Sequence, residues 1–561
     1  MIYPYKNLDN YTLPNLLNRS ILLYKECDVL SKLSETPMTY KEFGQKVHEM
    51  AKLLQENGIS HGDKVLLLSQ NMPNWAIAYF SVTYIGAVIV PVLPDFHPSE
   101  VLHILRHSEA KAAFVSHKHL STLEESSDTY LEFAIELDSL KIIDESINKS
   151  YLSGLRTKTK EMAQKFSNQT PKEIKEEDLA AIIYTSGTTG HSKGVMLSHK
   201  NIVTNALSTH SILEITKDDV FLSILPLAHT YECTVGLIVP ILHGSSVVYI
   251  DKTPTPSVLL KAFEIVKPTM MLSVPLIIEK IYKNRVLPKL TNSFIMRNLY
   301  KNSYLRKRLN KVAGKKLLET FGGRLRFFGI GGAALAPYVE KFLIEAEFPY
   351  TVGYGLTETA PLLAGTNINL QPKFRSTGPA FYGVELKIKD PDPITKEGEI
   401  MASSPSVMLG YYKDKEKTDE VLKDGWFLTG DLGYIDEDGY LFIRGRSKNV
   451  IIGSDGKNIY PEQLESIINQ DEAVLDSLVL EQNSKLVARV HLNYELLDKR
   501  FHADKNTDIM VKEEITEFLE ELRLRVNSQV ASSSKIVKFI EQIEPFVETP
   551  TKKIKRYLYA E

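Results

Sequence analysis

Between Val65 and Pro94 the chain carries no charged side chain. A stretch of that length is long enough to span a bilayer. Gln70, Asn71, Pro73 and Asn74 interrupt it early, however, and Gly86 and Pro91 interrupt it late. The pattern reads better as a strand at 65–69, a loop, a short helix over about 75–85 and a second strand at 87–93. Strands covered on both faces are near-continuous apolar runs, so this is a buried βαβ unit. Similar runs recur at 112–116, 180–186, 220–226, 246–250, 269–275 and 325–332, with helical stretches between many of them, as at 198–213 and 335–347. Such alternation predicts an α/β protein with helix-covered sheets. After residue 380 the texture changes. GVELKI, GEIMAS, GYLFIRGR and VIIGSDGKNIY are short strands set off by Gly and Asp turns, which predicts a β-rich subdomain. The tail from about 460 mixes helical stretches, including 512–528, with short strands.

At 561 residues the chain exceeds the usual size of one domain. Its 43% hydrophobic and 24% charged content excludes a disordered, collagenous or coiled-coil chain. The net charge of -3 gives no global basic excess that would suggest nucleic acid. With only Cys27 and Cys233, a disulfide framework is excluded and a cysteine-based zinc site is disfavoured. The start, MIYPYKNLDNY, lacks the basic and apolar regions of a secretory signal. A reducing, cytoplasmic setting is therefore expected.

One segment departs from this even balance. Residues 280–326 hold fourteen Lys and Arg, among them Lys280, Lys283, Arg297, Lys301, Arg308 and Lys315, with Glu319 as the one acid. Phe294, Ile295, Leu299, Tyr300, Tyr304, Leu305 and Leu309 are interleaved. Such a segment is either a solvated basic face or a patch for anionic lipid or a phosphorylated partner.

The strongest chemical signal is Tyr184-Thr-Ser-Gly-Thr-Thr-Gly-His-Ser-Lys-Gly194, after the apolar strand AAII and before a helix starting near Ser198. Its glycines allow close approach to an anion. The hydroxyls of Thr185, Ser186, Thr188, Thr189 and Ser192 can donate to phosphate, and Lys193 adds a point charge. The spacing is not that of a Walker A loop.

This stretch resembles the phosphate loop of the adenylate-forming superfamily of acyl-CoA synthetases, luciferases and peptide-synthetase adenylation domains. Further blocks follow in the superfamily's order: Tyr354-Gly-Leu-Thr-Glu-Thr359, Thr429-Gly-Asp-Leu432, Gly445-Arg446-Ser-Lys-Asn449, Gly456-Lys-Asn-Ile-Tyr-Pro-Glu-Gln-Leu-Glu465 and Thr549-Pro-Thr-Lys-Lys-Ile-Lys-Arg556. The form T-P-T-x-K is similar to that of the long-chain fatty acid–CoA ligases. The resemblance implies a large N-terminal domain over 1–447 and a small, mobile α+β C-terminal domain over 448–561, hinged near Lys448.

It also implies roles. Thr185, Ser186, Gly187, Thr188, Thr189, Gly190 and Lys193 would cradle the ATP phosphates. Gly331, Gly332 and Ala333 would leave room for adenine, and Tyr354, followed by Gly355, would offer it a flat face; a tight strand-to-helix turn is the plainer account of the glycines. Thr357 would contact phosphate and Glu358 would hold Mg2+, a hard cation suited to carboxylate oxygen. Asp431 and Arg446 would hold the ribose. Lys553 would act in adenylation, with Lys552 as a neighbouring competitor, and the Gly456 loop would help build the coenzyme A channel.

The acid pocket is expected around Leu225-Pro-Leu-Ala-His-Thr-Tyr-Glu232, with His229 as a gate or wall, or else a neutral core histidine. Apolar neighbours such as Val235, Leu237 and Ile238 favour an alkyl chain, which gains about 0.8 kcal/mol per buried CH2. The expected activity is ligation of a medium- to long-chain fatty acid to coenzyme A through an acyl-adenylate, using ATP and Mg2+. Transfer to an acyl carrier protein docked on 280–326, or a catalytically silent acyl- or nucleotide-binding protein, are the alternatives. Peripheral membrane contact through 280–326 also stays open.

Overall fold

The computed structural model describes residues 8–123, 126, 129–143, 172–185, 192–250, 252, 254–370, 372–453, 458–501, 508–549 and 553–560. Among the described residues two eight-stranded sheets dominate. In one, Lys64–Leu68 pairs in parallel with Val88–Val92 and Ala112–Val115, and Val88–Val92 leads to Leu179–Thr185. In the other, Val220–Ser223 lies between Ser246–Tyr249 and Met270–Ser273, and Phe327–Ile330 and Tyr350–Gly355 continue the parallel run.

Strand alternation explains how the sheets stack. Val65 and Leu67 point into a core shared with Phe221, Met270 and Leu30 of the other sheet. Leu66 and Leu68 point the opposite way, into a second core with Ile104 and Leu105. The helix Pro73–Tyr84 belongs to the shared core and is buried along almost its whole length. That accounts for the uncharged stretch from Val65 to Pro94. Among the described residues no helix is long and apolar enough to cross a membrane.

A third sheet of short antiparallel strands, Gly378–Pro379, Tyr440–Arg446, Trp426–Ile435, Gly398–Ser403 and Glu385–Lys389, forms the expected β-rich subdomain. Beyond it, Val474–Gln482, Lys485–Leu492 and Lys538–Glu541 make a small sheet. It packs with the helices Pro461–Ile468 and Asp508–Asn527 around its own core. No apolar cluster among the described residues joins chain before residue 448 to chain after it. The named contacts across that line are polar: Tyr460 donates to Glu397 at 2.8 Å, Gln463 to the Arg444 carbonyl at 3.1 Å, and Lys283 to the Asn469 carbonyl at 2.5 Å.

The helix expected near Ser198 begins there, and one further strand lies between it and the glycine-rich loop. Lys193–Ser198 is a strand that folds back antiparallel on Leu179–Thr185, with Thr185 opposite Lys193 and Tyr184 opposite Gly194. The helix then begins at His199, with Ser198 as its cap: Ser198 Oγ accepts from the Asn201 N–H and Asn201 Oδ1 from the Ser198 N–H.

Candidate active site

Backbone register builds the first part of the site. In the antiparallel pair Trp426–Ile435 and Tyr440–Arg446, Asp431 lies directly opposite Arg446. Their side chains meet, with Arg446 Nε 2.8 Å from Asp431 Oδ1. Tyr354, near the end of Tyr350–Gly355, donates its hydroxyl to Asp431 Oδ2 at 2.8 Å. Asp431 is 5% exposed, and burial raises its pKa while Arg446, Tyr354 and Lys553 oppose the rise. Tyr354 keeps only 7% of its surface, so the face expected to carry a base is largely covered.

The next residues turn sharply. A Cβ placed on Gly355 would lie 1.9 Å from the Pro361 carbonyl oxygen, so only glycine fits this close approach. The turn Thr357–Thr359 then presents Thr357 and Glu358, both half-buried. Glu358 Oε1 accepts from the Tyr411 hydroxyl at 2.9 Å. Tyr411 belongs to a two-residue strand that pairs with Lys193–Ser198, and Lys193 Nζ sits 4.8 Å over its ring. Tyr411 thus bridges the turn to the lysine of the glycine-rich loop. No sequence signal marked it, because its role comes from strand pairing across more than two hundred residues.

Around Gly331 the structure redirects another expectation. A Cβ there would meet the Tyr231 ring at 3.1 Å, so the space the bare backbone leaves is already shared with Tyr231. Gly332 has φ +88, a backbone that glycine adopts freely, and a Cβ there would find its nearest neighbour, Val274, at 3.8 Å. Ala333 follows, exposed. The glycines therefore serve the turn as well as leaving room.

Tyr231 and His229 precede a stretch of widened helical turns, Glu232–Ile238. His229 Nδ1 accepts from the Tyr231 N–H at 3.2 Å, which leaves the proton on Nε2. Burial, with Lys553 adding to it, lowers the His229 pKa to about 4, so the ring is neutral at pH 7. The sequence did not single out Glu232. It is 1% exposed, Ser223 Oγ donates to its Oε1 at 2.5 Å, and its Oε2 is buried without a partner among the described residues. Burial pushes its pKa up to about 8. Cys233 is buried as well, with its thiol pushed up to about 12, so it is no nucleophile at neutral pH.

Lys553 comes to the same cleft from the chain's far end. Glu548 and Ile554 form an antiparallel bridge, and the Lys553 N–H donates to Thr549 Oγ1 at 3.1 Å. The Lys553 side chain is solvent-exposed yet hemmed in by protein, as befits a group reaching into an open cleft. Desolvation and Arg446 lower its pKa, while Asp431 and Glu358 raise it. The segment is anchored by Arg556, which grips the buried Glu465 at 2.6 and 2.5 Å and the Val479 carbonyl at 3.2 Å.

Lys448, exposed in the turn Ser447–Asn449, lies close enough to Lys193 to lower that lysine's pKa, after the larger effect of burial. Lys193, Arg446, Lys448 and Lys553 thus face Glu358 and Asp431, a surplus of positive charge. The structure brings together Thr185, Lys193, Tyr354, Thr357, Glu358, Asp431, Arg446, Lys448, His229 and Lys553 around these strand ends. Ser186, Gly187, Thr188, Thr189, Gly190, Gly456 and Lys552 lie outside the described residues.

Glu358 can serve a divalent cation. Its Oε2 has no protein partner named among the described residues, and no cluster of three or more His, Cys, Asp or Glu stands beside it. Mg2+ held by a single carboxylate and by nucleotide phosphates asks for no more.

Known proteins carry the same architecture. The chain is 22% identical to ATP-bound MatB from Rhodopseudomonas palustris, with a TM-score of 0.75 over 97% of this chain and 98% of that one. The anthranilate CoA ligase AuaEII, in complex with anthranoyl-AMP, gives a TM-score of 0.75 at 21% identity over 100% and 98%. Among curated proteins, long chain acyl-CoA synthetase 7, peroxisomal, of Arabidopsis thaliana is 30% identical over 82% of this chain and 69% of its own. The long-chain-fatty-acid–CoA ligase FadD15 of Mycobacterium bovis is 27% identical over 94% and 91%. The AMP-binding enzyme family matches residues 25–412. With that match added to the fold and the cleft, the chain belongs to the AMP-binding enzyme family.

Proposed function

We propose that the protein is an ATP-dependent fatty acid–CoA ligase for medium- to long-chain acids. The observation that carries the reading is the position of Lys553: a lysine from the small domain shares the cleft with Glu358, Asp431, Arg446 and His229 of the large one. In the first half-reaction a carboxylate oxygen attacks the ATP α-phosphorus and pyrophosphate leaves, giving acyl-AMP. Two anions approach, and the Lys553 ammonium offsets their repulsion where charge is greatest. Lys193 and the hydroxyl of Thr357 hold phosphate oxygens. Asp431, kept in place by Arg446 and Tyr354, accepts from the ribose hydroxyls. Mg2+ on the phosphates, with Glu358 as its protein ligand, would neutralise the leaving pyrophosphate.

In the second half-reaction the coenzyme A thiol attacks the acyl carbonyl and AMP leaves. The small domain, 448–561, turns about Lys448 between the steps and brings the Gly456 loop to the channel. The polar seam and the separate core support this division. Neutral His229 and the apolar Val235 and Leu237 fit an uncharged alkyl chain beside the site. ATP–pyrophosphate exchange dependent on a fatty acid, followed by acyl-CoA formation across a chain-length panel, tests this. No exchange with any fatty acid refutes it. Running free coenzyme A against an acyl carrier protein identifies the acceptor.

The basic segment supports peripheral contact with an anionic membrane. In the helix Phe294–Lys301 no residue is buried, and Phe294 and Ile295 are 73% and 70% exposed beside Arg297 and Lys301. Tyr304, stacked on Arg308 at 4.6 Å, continues the surface. Apolar side chains ringed by cations suit the headgroup boundary. Flotation with anionic vesicles at low salt, lost in a Phe294→Asp, Ile295→Asp double variant, is the expected result.

A further inference from the structure

Lys283 is distant in sequence from every residue placed in the cleft, yet it reaches across to the small domain. It lies in Tyr282–Val286, where the helix Pro275–Ile281 continues in widened turns. Its Nζ donates at 2.5 Å to the carbonyl of Asn469, the residue that ends the helix Pro461–Ile468. The last carbonyls of a helix lack donors and carry the negative end of its dipole, so a lysine there is doubly suited. Glu279 of its own domain attracts Lys283 most, Asp471, Asp476 and Glu472 of the small domain add to the attraction, and Asp476 also feels Lys280. A cationic edge of one domain therefore meets an acidic edge of the other.

The capped helix matters for the chemistry. It carries Glu465, the buried carboxylate that Arg556 grips from three residues beyond Lys553. Asn469 is tied back to the same helix, its N–H donating to the Glu465 carbonyl at 2.8 Å, while its Oδ1 accepts from Ser477 at 2.8 Å. A run of contacts thus leads from Lys283 through Asn469 and Glu465 to Arg556, three residues along the chain from Lys553.

We propose that Lys283 is a positioning residue that favours the domain arrangement in which Lys553 enters the nucleotide cleft. This rests on the two-step ligase reading above. Lys283 touches no substrate, and its contact exists only while the small domain is docked as described here. When that domain turns for thioester formation, the ammonium returns to water. The consequence is directional: losing the contact penalises adenylation and leaves thioester formation untouched or faster.

The test uses the full chain with Lys283→Met, which keeps the aliphatic stem, and Lys283→Arg, which keeps the charge. Lys283→Met should lower the turnover of fatty-acid-dependent ATP–pyrophosphate exchange about tenfold, the range of one charge-assisted hydrogen bond. KM for ATP should hold, and thioester formation from supplied acyl-adenylate should not fall. Lys283→Arg should restore most of the exchange. Equal loss in both half-reactions, or no loss in either, overturns the proposal. A wild-type chain without exchange would instead overturn the ligase reading itself.

Discussion

Replacing Glu232 by glutamine isolates one buried carboxyl. Its Oε1 takes the Ser223 hydroxyl at 2.5 Å, its Oε2 has no partner among the described residues, and a Cβ at Gly236 would crowd the carboxyl at 2.8 Å. Burial lifts its pKa from an ordinary 4.5 to about 8, with Ser223 opposing. An acid whose folded pKa is raised keeps full stability below the unfolded value and loses it as pH climbs to the folded one. The wild-type chain should therefore lose ~1.36 kcal/mol per pH unit between about 4.5 and 8 from this group, ~5 kcal/mol at most, and then level off. Glutamine does not titrate, so Glu232→Gln adds a constant offset but removes that slope. Urea unfolding at a series of pH values reads the difference. Both tryptophans, Trp75 and Trp426, lie in the large domain, so their fluorescence follows the part of the chain that holds Glu232. Parallel profiles for the two proteins across that window would refute the reasoning.

Other perturbations follow from the same geometry. Lys553→Ala should cut fatty-acid-dependent pyrophosphate exchange by about 100-fold or more while sparing thioester formation from supplied acyl-adenylate; equal loss of both steps would defeat the assignment. Tyr354→Phe leaves one oxygen of nearly buried Asp431 without its donor. It should raise KM for ATP about fivefold, or ~1 kcal/mol, and an unchanged KM would detach Tyr354 and Asp431 from the nucleotide. Gly355→Ala forces a methyl group onto the Pro361 carbonyl. It should destabilise the chain by ~1–3 kcal/mol in thermal melts, and a variant that melts and turns over normally would show that this turn yields easily.

Apolar runs were the most legible part of the fold. Lys64–Leu68 and Val88–Val92 are buried on both faces, and their sequences carry that burden without help from distant residues. Ser198 was readable as a helix start because capping is local. The strand Lys193–Ser198 was not, since the three residues between the glycine-rich loop and the cap carry little periodicity and gain strand form by pairing with Leu179–Thr185. Asp431, Arg446 and Lys553 stood out through their motif blocks, but the contact between Asp431 and Arg446 depends on sheet register. Tyr411 and Glu232 were silent for a different reason. A tyrosine in a surface-like GYYKD string and an acid after His-Thr-Tyr gain meaning only from what folds against them. Space for a base and a tight turn both stay open for the glycines at 331 and 332 in the sequence; Gly332, at φ +88, serves the turn, and a Cβ on Gly331 would meet Tyr231, a contact no local pattern announces.

The seam between the large and small domains has a thermodynamic corollary. Hydration of apolar surface is what gives conformational equilibria their heat-capacity change and their strong dependence on temperature. A boundary that no apolar cluster crosses, bridged by Tyr460, Gln463 and Lys283, exchanges one set of hydrogen bonds for another with water when it parts. If the small domain turns as proposed, the ratio of its two orientations should drift little between cold and warm, and ionic strength should move it more than heat does.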